Sequence, residues 1–425
     1  MYERIYRDPV HNIIRVETDT DEGRLLVELI DSREFQRLRR VRQLGLAHFA
    51  YQGAEHSRFT HSLGALHLAT RILDRFAQKY AITPEERTAA RVAALLHDIG
   101  HGAFSHVIES ILGFRHEEFT IEAVMSSDTE IGRIIASYSP HLGNDVASII
   151  RGDYHSVALA QIVSSQLDVD RMDYLLRDSL MTGAKYGIYD LEWIIKSIEI
   201  DENGGNLYVS APGIYAVEDY LQARYYMFRQ VYFHRTLRAA EAVLRVLLRR
   251  ALDVFGTGGA FWYRPDSAFE AILRREKLTL KQHLSLDDAD VIFYIKQWQS
   301  SDDKILADLA SRFLNRRLFK AYDLDMPENE KCEFIAAARG AVARCGFDPD
   351  YYFVDDAGGG APYSFYTHGG SVKDQIFVED GFSRPRIREI SEVSAAVRGL
   401  QKGYRIHRIC FPGEVQDEIE QLYRL

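Results

Sequence analysis

Residues 93–106 read AALLHDIGHGAFSH, and the other candidate residues of the chain are best understood in relation to them. The stretch begins as an apolar helix and runs into His97, Asp98, His101 and His106, with glycines between. Core packing does not account for it, because a buried imidazole or carboxylate costs free energy unless it is paired or bound to a metal. Just upstream, Thr83-Pro84-Glu85-Glu86 is a helix start. Thr83 is the N-cap, Pro84 takes the first helical position and Glu86 completes a capping box. The helix is expected to run to about Ile99 and stop at Gly100. His97 and Asp98 would then sit in its last turn, where converging carbonyl dipoles favour a cation. Neighbours on a helix point about 100° apart, so a metal held by both takes its remaining ligands from other helices.

The chain has 425 residues, 46% hydrophobic and 27% charged, with a net charge of −10. That length suits one large domain with a smaller companion. The acidic balance argues against stable binding of duplex nucleic acid, which needs a broad basic surface. No run has the pattern of a signal peptide or the length of a membrane span. Cys332, Cys345 and Cys410 are far apart and odd in number, so they form neither a disulfide framework nor a zinc knuckle, and a reducing cytoplasm is the expected setting.

Residues 4–17 (RIYRDPVHNIIRVE) suggest two short strands around Asp8-Pro9. His11 is expected there as a loop residue bonding nearby backbone. Residues 25–44 have helical periodicity and carry Arg33, Arg37, Arg39, Arg40 and Arg42, with Glu34 the acid among them. The cluster is either a solvated helix face or a phosphate-recognition surface. Within residues 53–80 a helical stripe of Leu63, Leu66, Ile72, Leu73 and Phe76 has His56, His61 and His67 on or near it. His61 stands out, following Arg58 by one turn on nearly the same face. After Gly102 a helix resumes through Phe104, His106 and Ile108, and His116 and Glu117 precede another. In residues 157–179 an apolar helical pattern carries Asp168, Asp170, Asp173 and Asp178. Asp170, Tyr174 and Asp178 share a face and are expected to line a pocket.

Residues 198–209 read as a hairpin. A long helix is expected from Pro212 through about Val254, carrying Arg224, Arg229, Tyr232, His234, Arg235 and Arg238. Residues 272–321 are again helical, and Pro327 within the polar segment 323–329 marks a boundary. Strands are expected at 351–354, 363–366, 375–379 and 404–411, with the glycine-containing segment 355–362 as a loop between strands.

His61, His97, Asp98 and Asp170 together offer two nitrogens and two carboxylates, a set suited to one divalent transition ion such as Fe, Mn, Zn or Ni. With HSLG from His61, LLHDIGHGAFSH from Leu95 and DVDRMDYLLRD from Asp168, the sequence resembles the HD-domain phosphohydrolases. It is most similar to the branch of deoxynucleoside triphosphate triphosphohydrolases, the bacterial dGTPases and the animal SAM-and-HD-domain enzyme. DPVHN at Asp8, REFQRLRRVRQLG at Arg33 and SRFTHSLG at Ser57 extend the match.

The resemblance implies a mainly α fold, an HD-domain helical bundle with small β-hairpins and a C-terminal mixed α/β subdomain. Residues 1–325 would form the metal-dependent domain and residues 326–425 an interface or regulatory subdomain. His61, His97, Asp98 and Asp170 would be the metal ligands, and Mg2+ would accompany the nucleotide. Arg58, Arg171 and Arg224 match phosphate-contacting positions. Gln43, Leu44, Tyr174, Asp178 and Tyr232 match sugar-pocket positions. His101, His106, His116 and Glu117 match a group beside the α-phosphate, with His106 as the acid. Arg4, Ile5, Asp31, Gln36 and Arg39 match a guanine-nucleotide regulatory site. Phe233 replaces a polar residue near the sugar, and Asn12 replaces a glycine common after the family's DPxH.

The expected activity is hydrolysis of a dNTP to deoxynucleoside and triphosphate, in a homodimer or homotetramer with a guanine-nucleotide activator. The alternatives are an HD-type phosphomonoesterase or nuclease, or a nucleotide-binding regulator with little catalysis.

Overall fold

A computed structural model describes residues 2–201, 205–360, 375–381, 386–401 and 404–423; the side chains of residues 105, 106, 110, 112, 359, 360, 404, 405 and 423 lie outside the description. The architecture is mainly α, with the described strands in three small sheets. The N-terminal hairpin forms as expected, β1 (Glu3–Asp8) pairing antiparallel with β2 (Asn12–Glu17). Asp8 Oδ1 accepts the backbone N–H groups of Val10 and His11 at 2.9 Å, an Asx turn. Asn12 has φ +62°, a left-handed conformation that glycine or asparagine adopts most readily.

Residues 25–44 are not one helix. Ser32 ends α1 (Asp21–Asp31), and its hydroxyl caps α2 (Arg33–Arg37) by accepting from Phe35 N. A 3-10 turn, Leu38–Arg40, follows. The helices α3 (Arg58–Phe76) and α4 (Pro84–Leu96) come next. The Thr83–Glu86 capping box is present. Every residue of α4 from Thr88 to Leu96 is buried, as expected of a helix at the centre of a bundle. It ends at Leu96, with His97 as its C-cap, three positions short of Ile99. The carbonyls of Ile99, Gly100 and His101 turn instead to Arg37 and His283.

The bundle continues through α5 (Ser105–Leu112), α6 (His116–Met125), α7 (Glu130–Tyr138) and α8 (Leu142–Arg151). Residues 157–179 divide into α9 (Val157–Val163) and α10 (Val169–Thr182), because Asp168 caps α10 by accepting from Arg171 N at 2.8 Å. α11 (Leu191–Ser197) leads into the hairpin of β3 (Ile198–Ile200) and β4 (Leu207–Val209). The long helix expected from Pro212 is broken. α12 (Ile214–Met227) passes through a π turn, Phe228–Tyr232, before α13 (Arg235–Gly256). α14 (Ala268–Leu273), α15 (Leu280–His283), α16 (Asp288–Trp298) and α17 (Lys304–Leu314) follow.

The remaining strands are β5 (Lys320–Asp323), β6 (Val354–Gly360), β7 (Phe377–Asp380), β8 (Arg386–Glu389) and β9 (Tyr404–Phe411). Residues 349–352 are a short helix rather than a strand. Val354–Gly360, within the expected loop, is a strand because β9 pairs with it along its length. The strand expected at 363–366 lies outside the described residues. The sheet orders are β3-β4-β7-β8 and β5-β9-β6, with β4 and β7 parallel. Both sheets combine strands from either side of residue 325.

Candidate active site

α3, α4 and α10 pack together and bring His61, His97 and Asp170 to one point. His61 Nε2 lies 3.2 Å from His97 Nε2 and 3.0 Å from Asp170 Oδ1. His97 Nε2 lies 3.6 Å from the same oxygen. The outer nitrogen of each imidazole is fixed by an acceptor: His61 Nδ1 by Asp173 Oδ2 at 2.8 Å, His97 Nδ1 by the Ala94 carbonyl at 2.9 Å. With a cation bound, Nδ1 would carry the proton on each ring, leaving the two Nε2 lone pairs beside a carboxylate to hold it. Ligands about 2.1 Å from a six-coordinate ion stand about 3 Å apart at adjacent vertices, so the spacing fits a divalent cation. Asp98 stands at the edge of the group, its Oδ1 3.4 Å from His97 Nε2. Its Oδ2 accepts from Arg58 NH1 at 2.6 Å. Burial opposes charge on His61, but hydrogen bonds to Asp170 and Asp173 raise its pKa to about 10. The carboxylates call for a positive charge here, supplied by a proton when no metal is bound.

Behind these side chains lies a layer that the sequence did not announce. Asp173 is fully buried and meets His61, His11 Nε2 at 2.7 Å and the Arg177 guanidinium at 2.8 and 2.9 Å. Arg177 also donates to Asp8 Oδ2 at 2.7 Å. His11 is thus no local loop residue; the Asx turn carries it to a partner on α10. A Cβ on Gly64 would come within 1.8 Å of Asp173 Oδ1, so the glycine of HSLG admits this carboxylate. The available signal was an aspartate and an arginine, Asp173 and Arg177, spaced i, i+4 on one helix.

Beyond Asp98, His101 and His116 stack with ring centroids 3.6 Å apart. Glu109 Oε1 lies 3.3 Å from His101 Nδ1 and 3.4 Å from His116 Nδ1. Glu117 is more distant, 3.7 Å from His116 Nδ1, and pairs with Arg115 at 3.3 Å. Glu109 is therefore the nearer acid, missed although it is the lone carboxylate in SHVIESIL. Burial disfavours its charge, but the two histidines hold its carboxyl well below the usual range. Burial, then the Arg58 charge, lowers the pKa of His101. A Cβ on Gly100 would lie 2.1 Å from the His116 carbonyl, so that glycine lets α6 approach. The His106 side chain lies outside the described residues.

Arg58 meets Asp98, Arg171 follows Asp170 in α10, and Arg224 comes from α12. Arg171 NH1 donates to the Ser165 carbonyl at 2.7 Å and pairs with Asp168. Arg224 NH1 donates to Gln166 Oε1 at 2.7 Å. The Nε of all three is buried with no hydrogen-bond acceptor among the described residues. Such donors cost free energy unless an acceptor arrives. Asp178 accepts from Tyr232 OH at 2.8 Å and lies 2.7 Å from His56 Nε2. Tyr174 meets Tyr232 edge-on, with ring centroids 6.2 Å apart. Gln43 keeps a buried Oε1 without a partner among the described residues, and Leu44 packs half-buried against the core.

Of the arginine cluster, Arg37 is buried on backbone carbonyls, Arg40 pairs with Asp287, and Arg42 with Glu55 and Asp288. Arg37 is thus internal anchoring, whereas Arg40 is exposed and so is Arg33, which pairs with Glu34. Arg39 differs, lying over the Phe59 ring and donating to Gln36 Oε1 at 2.8 Å. Arg4 pairs with Asp31 at 2.5 Å, with Ile5 half-exposed alongside.

The HD domain family matches residues 58–178, and the HD associated region matches residues 189–259. The uncharacterized protein YwfO of Bacillus subtilis is 36% identical over 97% of this chain and 93% of its own length. The deoxynucleoside triphosphate triphosphohydrolase SAMHD1 of Gallus gallus is 28% identical over 67% of this chain and 51% of its own. A crystal structure of a phosphohydrolase from Bacteroides thetaiotaomicron superposes with a TM-score of 0.82 at 29% identity, covering 96% of this chain and 100% of that one. The chain belongs to the HD-domain phosphohydrolase superfamily.

Proposed function

We propose that this phosphohydrolase cleaves dNTPs to deoxynucleoside and triphosphate. The observation that carries the reading is the set of three guanidinium groups, each with a buried Nε lacking an acceptor among the described residues, beside the cation-seeking cluster of His61, His97 and Asp170. Three such forks suit a polyphosphate better than a phosphomonoester.

His61, His97, Asp98 and Asp170 would hold one divalent transition ion, which activates water and polarises a phosphoryl oxygen when bound. Arg58, Arg171 and Arg224 neutralise and align the polyphosphate, with Mg2+ accompanying the nucleotide. Tyr174, Tyr232, Asp178, Gln43 and Leu44 bound the sugar. Water adds to the α-phosphorus and gives up a proton to solvent, the bond to the 5′-oxygen breaks, and that oxygen takes up a proton from the acid. His106 is assigned the proton from sequence alone, with His101, His116, Glu117 and Glu109 orienting and balancing the acid. The partly exposed group of Arg4, Ile5, Asp31, Gln36 and Arg39 is assigned to a guanine-nucleotide activator.

The test is incubation with each dNTP, with and without GTP or dGTP, followed by product analysis. Deoxynucleoside and intact triphosphate are expected, and stepwise release of orthophosphate overturns the reading. His61→Ala and Asp170→Ala should lose both bound metal and turnover.

A further inference from the structure

The HDIGHG loop joins two kinds of chemistry, the metal-side residues His97 and Asp98 and the acid-side residue His101. Its backbone must therefore hold one position, yet it lies beyond the end of α4 and has no helical partners for its carbonyls. Those carbonyls are met from elsewhere. Arg37, 2% exposed, donates NH2 to the His101 carbonyl at 2.7 Å and NH1 to that of Ile99 at 3.4 Å. Its Nε donates to the Leu286 carbonyl at 2.8 Å, tying the loop to the turn after α15. Between these two bonds, His283 Nε2 donates to the Gly100 carbonyl at 2.6 Å.

The His283 ring has little freedom. It stacks on Phe119 with centroids 3.8 Å apart and planes 2° from parallel, and Phe114 meets it edge-on. A Cβ on Gly102 would sit 3.3 Å from its Cε1. Two residues further along the chain, Phe104 has φ +43°, a conformation costly for a bulky side chain. Its N–H is held by Asp288 Oδ1 at 3.0 Å, while Asp288 Oδ2 accepts from Arg42 N at 3.0 Å. Arg37, His283, Leu286 and Asp288 all lie outside the segments matched by the HD domain and the HD associated region.

We propose that Arg37 and His283 are positioning residues that clamp three consecutive carbonyls of the HDIGHG loop and so fix His101 relative to Asp98 for the hydrolytic reaction. Neither side chain is assigned a contact with substrate. A displacement of about 1 Å at such a loop is enough to cost on the order of a hundredfold in rate, while the metal ligands, carried by α3, α10 and the end of α4, stay in place. The inference rests on the hydrolytic reading above.

The test compares His283→Phe, which keeps the stack on Phe119 and removes the donor, with His283→Gln, whose amide restores a donor near the same place. Arg37→Lys is a second probe, keeping the charge but not the fork. For His283→Phe, kcat on the best dNTP should fall about tenfold or more with KM little changed. Bound metal should be retained, and hydrogen exchange should rise locally at residues 99–104. His283→Gln should recover most of both effects. The proposal is overturned if His283→Phe keeps wild-type kcat and wild-type exchange, if exchange rises uniformly through the protein, or if His283→Gln is no better than His283→Phe. Should the wild type turn over no dNTP, the hydrolytic reading fails, and the exchange contrast at residues 99–104 still decides the clamp.

Discussion

Asp173 accepts from His61, His11 and Arg177 while fully buried itself. A carboxylate so placed fixes the imidazole tautomer and strengthens it as a ligand. Asp173→Asn should weaken metal binding about 10- to 100-fold, read by chelator competition with the fold monitored by circular dichroism. Gly64→Ala should act the same way, since its added methyl overlaps the carboxylate. The cluster of His61, His97 and Asp170 was legible from sequence as a candidate group, because imidazoles and carboxylates on apolar helices are costly to bury unless they pair or bind a metal. Asp173, His11 and Glu109 were not, since their roles depend on partners distant in the chain or on a ring stack. The arginine cluster was undecidable for the same reason. Arg37 and Arg39 are two residues apart, yet one is sealed against backbone carbonyls and the other lies over an aromatic ring.

α15 and α16 show how an element outside the HD-matched segments governs one inside them. His283 at the end of α15 is buried, and desolvation followed by the Arg37 charge lowers its pKa from 6.5 to about 3. Between those values the unfolded chain binds the proton more readily, so stability is present above 6.5 and is lost as pH falls toward 3. Going from about pH 7 to about pH 5 should cost about 2 kcal/mol at this site. Thermal unfolding across that range should show a clear fall in Tm, and His283→Phe should flatten it. The start of α4 was readable because a capping box is local chemistry. Its end was not, because Arg37 and His283 draw off the next carbonyls. The π turn at Phe228–Tyr232 carried no proline or glycine to announce it. The glycines of β6 read as a loop, whereas β9 pairs with its backbone and needs no side chains.

Across the full chain, a division at residue 325 separates regions of different composition, but hydrogen bonds cross it. β5 pairs with β9, and β4 with β7. A fragment of residues 1–325 loses those partners and leaves strand edges open, a template for association. It should elute as soluble aggregate in size-exclusion chromatography, whereas the full chain gives a discrete species. Among the described residues no helix is long and apolar enough to cross a membrane. The parallel pairing of β4 with β7 also bears on how the protein is made. Val209 ends β4 and Phe377 begins β7, so at roughly 5–20 residues per second a ribosome takes on the order of ten to thirty seconds to supply the partner. Throughout that interval the nascent chain carries its bundle with an unpaired edge. Synthesis rate and chaperone supply should then influence how much of it a cell accumulates.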